Sequence, residues 1–404
     1  MTTNKYHIAA PEHLDHPYPV YKALREQQPV FYDESLGFHV VTGYKNVKTL
    51  LAHPQISSCR QRFMEEIAAQ LPPGTLSDYI ENSQYSMIQL DPPEHTRLRK
   101  VANTFFHKPT VQGWVPVMEQ QFHSLLSSEM ADGHIDVCRV ARTYPSEVIC
   151  DLFGMPEEYR EQFITNTIRL GRIFGSPPRD QLEHFAREAN QASVENMQLI
   201  ADLLKERMDH PSDDLLGSMA KACAEDLISI NEAASLSGLL MAAGHLTTTE
   251  MICNGVYQLL SHPDQWQWLK ENPDAIEQAI EEIIRFDSSV PFIFKSAKGD
   301  IQLEGGQLAS GDIVAIGLLA ANHDPVLCDR PDEFDITREP SRHLSFSTGP
   351  HVCPGALMAK AELKVAFVQL IQACSDLCFD PANLPVRRCN TVMFRGFESL
   401  KLLY

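Results

Sequence analysis

Residues 346–355, near the C-terminus, read FSTGPHVCPG, and this stretch decides the fold. Five of its residues set a fixed spacing around one sulfur atom: Phe346, Gly349, His351, Cys353 and Gly355. A cysteine on its own is usually a small buried apolar residue. Here the glycines let backbone amides approach the sulfur, which is the setting that a thiolate ligand of haem iron requires. Because the chain holds ten cysteines, a chance match to this spacing has a probability on the order of one in ten thousand.

The stretch resembles the cysteine-ligand loop of the cytochrome P-450 family, the haem-thiolate monooxygenases. The resemblance implies that Cys353 is the axial ligand of one haem b (iron protoporphyrin IX) per chain, and that its sulfur favours cleavage of a bound O–O bond. It also implies that four further residues adjoin the cofactor: Phe346, Gly349, His351 and Gly355. It covers residues 342–362 and, overall, the chain from about residue 17 to residue 403. Ser347 departs from the family, which often has glycine there.

Residues 242–249 read AAGHLTTT and interrupt a long apolar helical pattern. Glycine weakens a helix locally, and Thr247 can hydrogen-bond back to the carbonyl of Ala243. The segment alone fits either a packing glycine with helical threonines or a groove where O2 binds. It resembles the oxygen-binding helix of the family, usually Ala-Gly-x-acid-Thr-Thr. The resemblance implies that Thr247 is the proton-relay hydroxyl and that Ala243 and Gly244 leave room for O2.

The acid position of this segment holds Leu246, which cannot shuttle a proton. His245 lies one residue before this position, so on a helix its side chain points about 100° away from that of Leu246. Glu250 is a turn farther along from Thr247. Three consequences are open: water or substrate supplies the proton path, the enzyme accepts peroxide, or the reaction needs no ordinary O2 activation. We favour the first because Thr247 is retained.

Glu282 and Arg285 lie on a predicted helix, where the spacing i, i+3 lets their charges pair on one face. Such a pair is usually solvated and on the surface. Upstream of the cysteine loop, however, it resembles the buried Glu-x-x-Arg pair of the family. The resemblance implies a structural role, with Arg285 reaching the backbone around residues 335–338.

Residues 91–99 read DPPEHTRLR and place His95 and Arg99 at i, i+4. Two cationic donors on one helical face suit a dianionic group, although an exposed basic helix end fits equally well. The stretch resembles the family's Asp-Pro-Pro-x-His-x-x-x-Arg, which implies that His95 and Arg99 hold the haem propionates together with His351. Lys295 stands where a further propionate ligand is usually arginine. It keeps the charge but lacks the planar fork.

By the same resemblance, the loop over residues 60–88 and parts of three other segments line a substrate cavity. The predicted lining is mostly apolar: Ile88, Leu240, Ala243, Val290, Phe292, Ile293 and Met393. Each of these taken singly is more simply a core residue. Together they indicate an apolar ligand with few polar anchors.

The composition limits the partners. A formal net charge of −19 argues against a nucleic-acid surface. The N-terminal stretch does not read as a signal peptide, and no window has the roughly 20 apolar residues of a membrane span. We therefore expect a soluble, cytoplasmic protein with reduced thiols. The sequence shows no flavin or nucleotide motif, so electrons are expected from an external ferredoxin or flavodoxin with its NAD(P)H reductase. A basic patch could attract this partner, unless its members are scattered solvated side chains: Arg97, Lys100, Lys108 and Lys360.

Hydrophobic periodicity predicts a mainly α protein with small β-sheet regions. The predicted helices cover residues 18–27, 111–130, 145–153, 181–207, 230–261, 273–286 and 356–373. The predicted strands cover residues 38–42, 301–303, 313–318 and 391–403. We expect one domain over residues 1–404. The resemblance implies the triangular cytochrome P-450 fold, with haem between the oxygen-binding helix and the cysteine loop.

The sequence thus predicts a monooxygenase that inserts one oxygen atom of O2 into an apolar organic substrate. The resemblance to the soluble bacterial class implies hydroxylation of a secondary metabolite such as a polyketide, peptide or terpene, sometimes on a carrier protein. Leu246 keeps a peroxide-driven oxygenase or an isomerase open as the alternative. A non-enzymatic haem-binding sensor is the second alternative, against which Thr247 and the apolar lining argue.

Overall fold

The computed structural model describes residues 6–173, 180–374 and 376–404, and it is mainly helical with small sheets, as predicted. The α-helices, numbered α1 to α16 in chain order, are Pro11–Asp15, Tyr18–Gln27, Tyr44–Leu51, Gln61–Ala68, Ser77–Ser83, Glu94–Asn103, Lys108–Glu129, Val137–Phe153, Glu157–Arg172, Leu182–Asp209, Leu215–Ala224, Ile230–Ser261, Pro263–Glu271, Ile276–Phe286, Leu318–Asn322 and Ala356–Ala373. The strands, β1 to β12, are Val30–Asp33, Phe38–Val41, Ile56–Ser57, His134–Asp136, Phe292–Ala297, Ile301–Leu303, Gly306–Leu308, Ile313–Gly317, Cys378–Phe379, Val386–Arg387, Phe397–Ser399 and Lys401–Leu403. Short 3₁₀ turns cover Met87–Gln89, Pro273–Ala275 and Gly349–His351.

The chain divides into two compact units, each assembled from separate segments. The first unit consists of Met1–Ile56, Val115–Pro145 and Leu246–Tyr404, and the second of Ser57–Trp114 and Ser146–His245. The single domain over residues 1–404 stays a prediction. Within the described ranges, no helix is both long enough and apolar enough to cross a membrane. The cellular location also stays a prediction.

A mixed sheet of order β1-β2-β8-β5-β3 organises the core of the first unit. β2 pairs antiparallel with β1 and parallel with β8, and β5 pairs antiparallel with β8. Successive side chains of a strand point to opposite faces. Val314 and Ile316 therefore join one apolar cluster, whereas Ala315 joins another on the opposite face. Phe292 of β5 belongs to this second cluster.

The remainder of the first unit is built on helices with wide apolar faces. Helix α14 buries residues 276, 279, 280 and 283, which recur at i, i+3, i+4 and i+7 and so share one face. It packs against α16. This packing fixes the position of the cysteine loop, because that loop leads directly into α16.

The second unit is organised around α10, which packs against α5, α9 and α11. Small residues recur along its buried face, among them Ala186 and Ala189. Polar contacts set the position of α5: Tyr79 N donates to Asn190 Oδ1 at 2.9 Å, and Asn82 Nδ2 donates to Ser193 Oγ at 3.0 Å. The helix α5 thus has a defined register on α10.

The ends of the helices at residues 18–27, 230–261 and 356–373 agree with the prediction. The helix predicted to begin at Pro145 begins instead at Val137. Proline cannot donate to the carbonyl of residue 141, four positions earlier. That carbonyl accepts a hydrogen bond at 2.8 Å from Thr249 Oγ1, which lets α8 run through the proline. The strand predicted over residues 391–403 is wrong before residue 397, where β11 begins.

Candidate active site

The cysteine loop is held by its own backbone. Cys353 N donates to Phe346 O at 2.9 Å, and Ser347 N donates to Leu344 O at 2.8 Å. Cys353 is half-buried and forms no disulfide. It lies just before α16, an 18-residue helix whose N-cap is Gly355. The partial positive charge at a helix N-terminus favours a thiolate over a thiol. The donor therefore has the chemistry that a haem iron requires of its axial ligand.

Two residues of this loop adopt left-handed backbone conformations, Ser347 with φ 62° and Gly349 with φ 73°. A Cβ atom on Gly349 would lie 2.6 Å from Leu51 O at the end of α3. The structure therefore gives Gly349 a role in the turn and in packing, and its expected cofactor contact stays a prediction. Gly355 differs, because no described atom lies within 4 Å of its ideal Cβ position. That side of the loop leaves space for a cofactor.

A charge cluster fastens the loop to α14. His343 Nε2 lies 3.1 Å from Glu281 Oε2, and Lys360 forms an ion pair with the same carboxylate. Burial alone would raise the pKa of Glu281, but the hydrogen bonds from His343 and Lys360 hold it at about 2. The Phe346 ring lies near both side chains, with its centroid 6.0 Å from that of His343 and 5.5 Å from Lys360 Nζ. Phe346 is thereby held within the cysteine loop, and its contact with the cofactor stays a prediction.

The expected propionate ligands are distributed over the two units. His95 is buried and Arg99 half-buried on α6 of the second unit, where the spacing i, i+4 places both on one helical face. Lys295 is buried on β5 of the first unit, and His351 is half-buried in the 3₁₀ turn of the cysteine loop. The ligand roles of these four residues remain proposals.

Asp91 organises the start of α6, a role that sequence reasoning missed. Its carboxylate accepts hydrogen bonds from Ser58 N at 2.9 Å and from Ser57 Oγ at 2.7 Å. These contacts hold the segment before α6 against the start of the second unit. A carboxylate directly ahead of two prolines and a helix was a readable sign of a structural role, but its partners lie far away in sequence.

Helix α12 carries an accessible apolar strip in its middle. Ala242 and Ala243 are exposed, and Leu239, Leu246 and Thr247 are half-buried, although most of the helix around them is buried. The spacing of these residues places them along one side of the helix. Small apolar side chains beside one hydroxyl fit the face of a flat apolar cofactor such as haem. Ala243 and Thr247 both belong to this strip, and their roles toward O2 stay predictions.

Gly244 does not belong to this strip. A Cβ atom on Gly244 would lie 2.6 Å from Ile149 Cδ1. The missing side chain therefore serves close packing between α12 and α8. This supports the packing interpretation of Gly244, and the expectation that it leaves room for O2 stays a prediction.

Glu250 is not available as a substitute acid for the position of Leu246. Its Oε1 lies 2.7 Å from Arg388 Nη1, and its Oε2 accepts from Phe397 N at 3.1 Å. A Cβ atom on Gly396 would collide with the same carboxylate. Burial raises the pKa of Glu250, and the charge of Arg388 opposes that rise. Glu250 therefore anchors the C-terminal strands.

A second buried acid, Glu362 of α16, was missed by sequence reasoning. Thr248 Oγ1 donates to its Oε2 at 3.4 Å, and its Oε1 has no hydrogen-bond partner among the described residues. Burial raises the pKa of Glu362 to about 8, so the carboxyl group keeps its proton at neutral pH. It contacts the residue next to Thr247. The sequence hinted at the burial of Glu362 only through its position in an apolar helix. Its contact with Thr248 could not be predicted, because the two residues are distant in sequence.

The pair Glu282–Arg285 is fully buried and joins α14 to the loop after α15. Arg285 Nε and Nη2 donate to the two carboxylate oxygens at 2.7 and 2.8 Å. The remaining N–H groups donate to three carbonyls, those of Asn322, Pro331 and Glu333. All five donors of the guanidinium are satisfied. Arg285 thus reaches the backbone of residues 322–333 and not that of residues 335–338, which corrects the expectation. The contact with residue 335 is made by Glu282, which accepts a hydrogen bond from Asp335 N at 3.0 Å.

The predicted lining residues differ in their surroundings. Phe292 is 1% exposed and packs edge-to-face on Tyr21, with ring centroids 5.4 Å apart, so the structure supports the core interpretation for it. Val290 and Ile293 are half-buried against the sheet core, and Met393 is half-buried. In the second unit, Ile88 is exposed and Leu240 is buried. Apart from Phe292, their cavity role remains a proposal.

Two members of the expected basic patch form ion pairs with carboxylates of the protein itself. Arg97 forms an ion pair with Glu232, and Lys360 takes part in the charge cluster of the cysteine loop. Lys100 and Lys108 are exposed. The positive charge that remains for a partner is therefore smaller than the sequence suggested.

Comparison with known proteins agrees with this geometry. A family model described as Cytochrome P450 matches residues 31–380. The chain is 32% identical over 409 residues to the biotin biosynthesis cytochrome P450 of Bacillus subtilis (strain 168), covering 98% of each protein. It is 32% identical over 392 residues to the 6-deoxyerythronolide B hydroxylase of Saccharopolyspora erythraea, covering 95% of each. The crystal structure of P450BioI in complex with hexadec-9Z-enoic acid ligated acyl carrier protein matches with a TM-score of 0.88 at 31% identity, over 98% of this chain and 100% of that one. The chain therefore belongs to the cytochrome P450 family, oxidoreductases that use haem and incorporate oxygen.

Proposed function

We propose that this cytochrome P450 binds one haem b and inserts one oxygen atom of O2 into an apolar organic substrate, as a hydroxylation step in making a secondary metabolite. The substrate is either free or tethered to a carrier protein. The cysteine loop carries the proposal, because it presents a half-buried Cys353 at the N-terminus of α16. The relation to the 6-deoxyerythronolide B hydroxylase supports a hydroxylation, and the neighbour seen with an acyl carrier protein supports the tethered form.

A haem held by a thiolate supplies cleavage of an O–O bond when it is bound. In this chain Cys353 provides the sulfur, and the start of α16 stabilises its negative charge. The cationic side chains assigned to the propionates are His95, Arg99, Lys295 and His351. The apolar strip of α12 faces the cofactor and keeps water away from it.

Proton supply is the unusual part of this site. Thr247 holds a proton on Oγ1 and can pass it on, whereas Leu246 can neither hold nor replace one. We propose that ordered water or a group of the substrate replenishes the Thr247 hydroxyl. Electrons come from a ferredoxin or flavodoxin with an NAD(P)H reductase, and Lys100 and Lys108 remain exposed to attract that acidic partner.

The ligand assignment is tested by Cys353→His. This variant should retain haem, lose the carbon monoxide difference spectrum of a thiolate-bound haem, and lose oxygenation. Cys378→Ser, which changes an exposed cysteine, is the matched control and should behave as the parent. Full oxygenation by Cys353→His would overturn the assignment. Substrate-dependent consumption of NAD(P)H with product formation would eliminate the sensor alternative.

The peroxide alternative rests on Leu246 and has its own test. Turnover with peroxide alone should be lower than turnover with O2, ferredoxin and reductase. Leu246→Glu should raise the fraction of electrons that reach product, because it restores an acid beside Thr247. Unchanged coupling would mean that the existing water or substrate route already suffices. Higher turnover with peroxide would favour the alternative.

A further inference from the structure

An arginine without a counter-ion lies in the second unit. Arg60 directly precedes α4, and its Nε atom is buried with no hydrogen-bond acceptor in the part of the chain that the structure describes. No carboxylate among the described residues contributes to its electrostatic surroundings. The remaining residues, 1–5, 174–179 and 375, include neither aspartate nor glutamate. The protein therefore supplies no carboxylate for this cation.

Two arginines that are buried more deeply than Arg60 both have a counter-ion. Arg285 pairs with Glu282, and Arg395 pairs with Asp287 at 2.6 Å. The chain has 53 aspartate and glutamate residues, so counter-ions are plentiful. An unpaired buried charge destabilises a fold. Its presence is explained if a ligand provides the missing anion.

The surroundings of Arg60 are apolar. Met64 lies one helical turn farther along α4, and it belongs with Leu76 and Tyr79 to an apolar cluster. Burial lowers the pKa of Arg60, and nearby Tyr79 opposes that effect. Because burial raises the pKa of Tyr79 to about 12, its phenol is neutral and provides no counter-charge. Arg60 as a whole is half-buried although its Nε is buried, so part of the side chain stays accessible to a ligand.

We propose that Arg60 binds a carboxylate group of the substrate, which is therefore a free acid with an apolar body. A guanidinium fork matches a carboxylate in two parallel hydrogen bonds. One cation in an apolar setting suits a monoanion, and the first turn of α4 adds unpaired N–H groups with no capping side chain. A carrier-bound acyl group has a neutral thioester instead and leaves Arg60 unpaired. The inference rests on the proposed function in placing Arg60 in the substrate site.

The binding test uses the haem-loaded protein and matched pairs of decanoate, dodecanoate and hexadecanoate with the corresponding alcohols. The optical spin-state shift and calorimetry both report the Kd. At least one acid should bind the parent at least about tenfold more tightly than its alcohol. Arg60→Gln should weaken that acid about 100-fold and leave the alcohol unchanged, and Arg60→Lys should lose about tenfold.

Arg62→Gln is the matched control, because Arg62 is exposed and already paired with Glu66. It should bind every ligand as the parent does. The proposal would be overturned if the parent bound acids and alcohols equally well. It would also be overturned if Arg60→Gln and Arg62→Gln bound the acid with the same Kd.

Stability provides a readout that does not depend on the chemistry. Without ligand, Arg60→Gln should unfold at a temperature no lower than the parent, because it removes an unpaired buried charge. The bound acid should raise the Tm of the parent and not that of Arg60→Gln. A large fall in Tm on Arg60→Gln without ligand would reveal an internal partner and refute the proposal.

Failure of this inference is distinguishable from failure of the proposed function. If the protein lacks the carbon monoxide spectrum of a thiolate-bound haem, the proposed function fails whatever Arg60 binds. If an acid raises the Tm through Arg60 without shifting the haem spectrum, the carboxylate lies outside the substrate site. That result would overturn the assignment of Arg60 while leaving the monooxygenase proposal intact.

Discussion

Replacing Arg285 with methionine should cost the protein about 4 kcal/mol of stability. The change leaves the carboxylate of Glu282 buried without its main partner, and removing one member of a buried ion pair typically costs about 3–5 kcal/mol. Three backbone carbonyls also lose their donors. The hydrogen bonds from Asp335 N and Arg338 Nε to Glu282 remain and limit the loss.

The expected change in Tm follows from the size of the chain. Unfolding entropy of about 2.1 cal/mol/K per residue gives about 0.8 kcal/mol/K for this protein, so about 4 kcal/mol corresponds to ~5 °C. Arg285→Lys should lose about half as much, because lysine keeps the charge but has three donors on one atom instead of a fork. Thermal and urea unfolding followed by circular dichroism, at equal haem content, measure both.

Arg187→Met is the matched control. Arg187 pairs with Glu183 on α10 at 2.6 Å, also within one helix, but its side chain is 60% exposed. Its loss should change stability by less than about 0.5 kcal/mol. The reasoning is refuted if Arg285→Met costs no more than this control. A double variant, Glu282→Met with Arg285→Met, should be more stable than Arg285→Met, because it leaves no buried unpaired carboxylate.

Three further predictions concern α12, the cysteine loop and α16. Gly244→Ala should lower the stability measured by thermal unfolding by about 1 kcal/mol, because the added Cβ meets Ile149, and the second substitution Ile149→Val should restore that stability. As the control, Gly238→Ala should raise the stability by about 0.5–1 kcal/mol, because no described atom lies within 4 Å of its Cβ position. Ser347→Gly should stabilise by up to about 1 kcal/mol, since φ is 62° there; an unchanged or lower Tm would contradict this strain. For Glu362, the folded pKa of about 8 lies above its ordinary value of 4.5, so stability present below pH 4.5 should decline by on the order of 5 kcal/mol as pH rises to about 8. Glu362→Gln should remove that decline, and parallel Tm–pH curves for parent and variant would contradict the burial of the charge.

The sequence predicted most of the long helices, although it missed the 16-residue α9. Helices α12 and α16 are long and mostly apolar, so their ends stand out against polar flanks. Helices such as α3 and α4 were not predicted, because eight residues provide too few turns for a clear period. The wrong strand over residues 391–396 has a tertiary cause: Arg395 there is drawn into a buried ion pair with Asp287, which no local pattern reveals.

In the candidate site, what could be predicted were residues whose partners are near in sequence. Glu282 and Arg285 share one helix, and the cysteine loop closes on itself. The interaction of Thr248 with Glu362 and the packing of Gly244 on Ile149 join residues of different elements, so they depend on the tertiary structure. Local spacing predicts which neighbouring side chains can form a contact, but it does not predict which residues distant in sequence contact each other.

Buried charges separate the structural part of this protein from the part that handles a ligand. A charge that serves the fold needs its partner inside the protein, as Arg285 does with Glu282, because an unpaired one would destabilise every folded molecule. Arg60 and Glu362 do not follow this rule among the described residues: the cation has no counter-ion, and the acid avoids the problem by staying protonated. Groups of this kind gain a partner only when something else binds or when a proton moves. They are therefore the positions where binding and proton transfer should be sought first, and where substitution should change ligand affinity or pH dependence more than it changes stability.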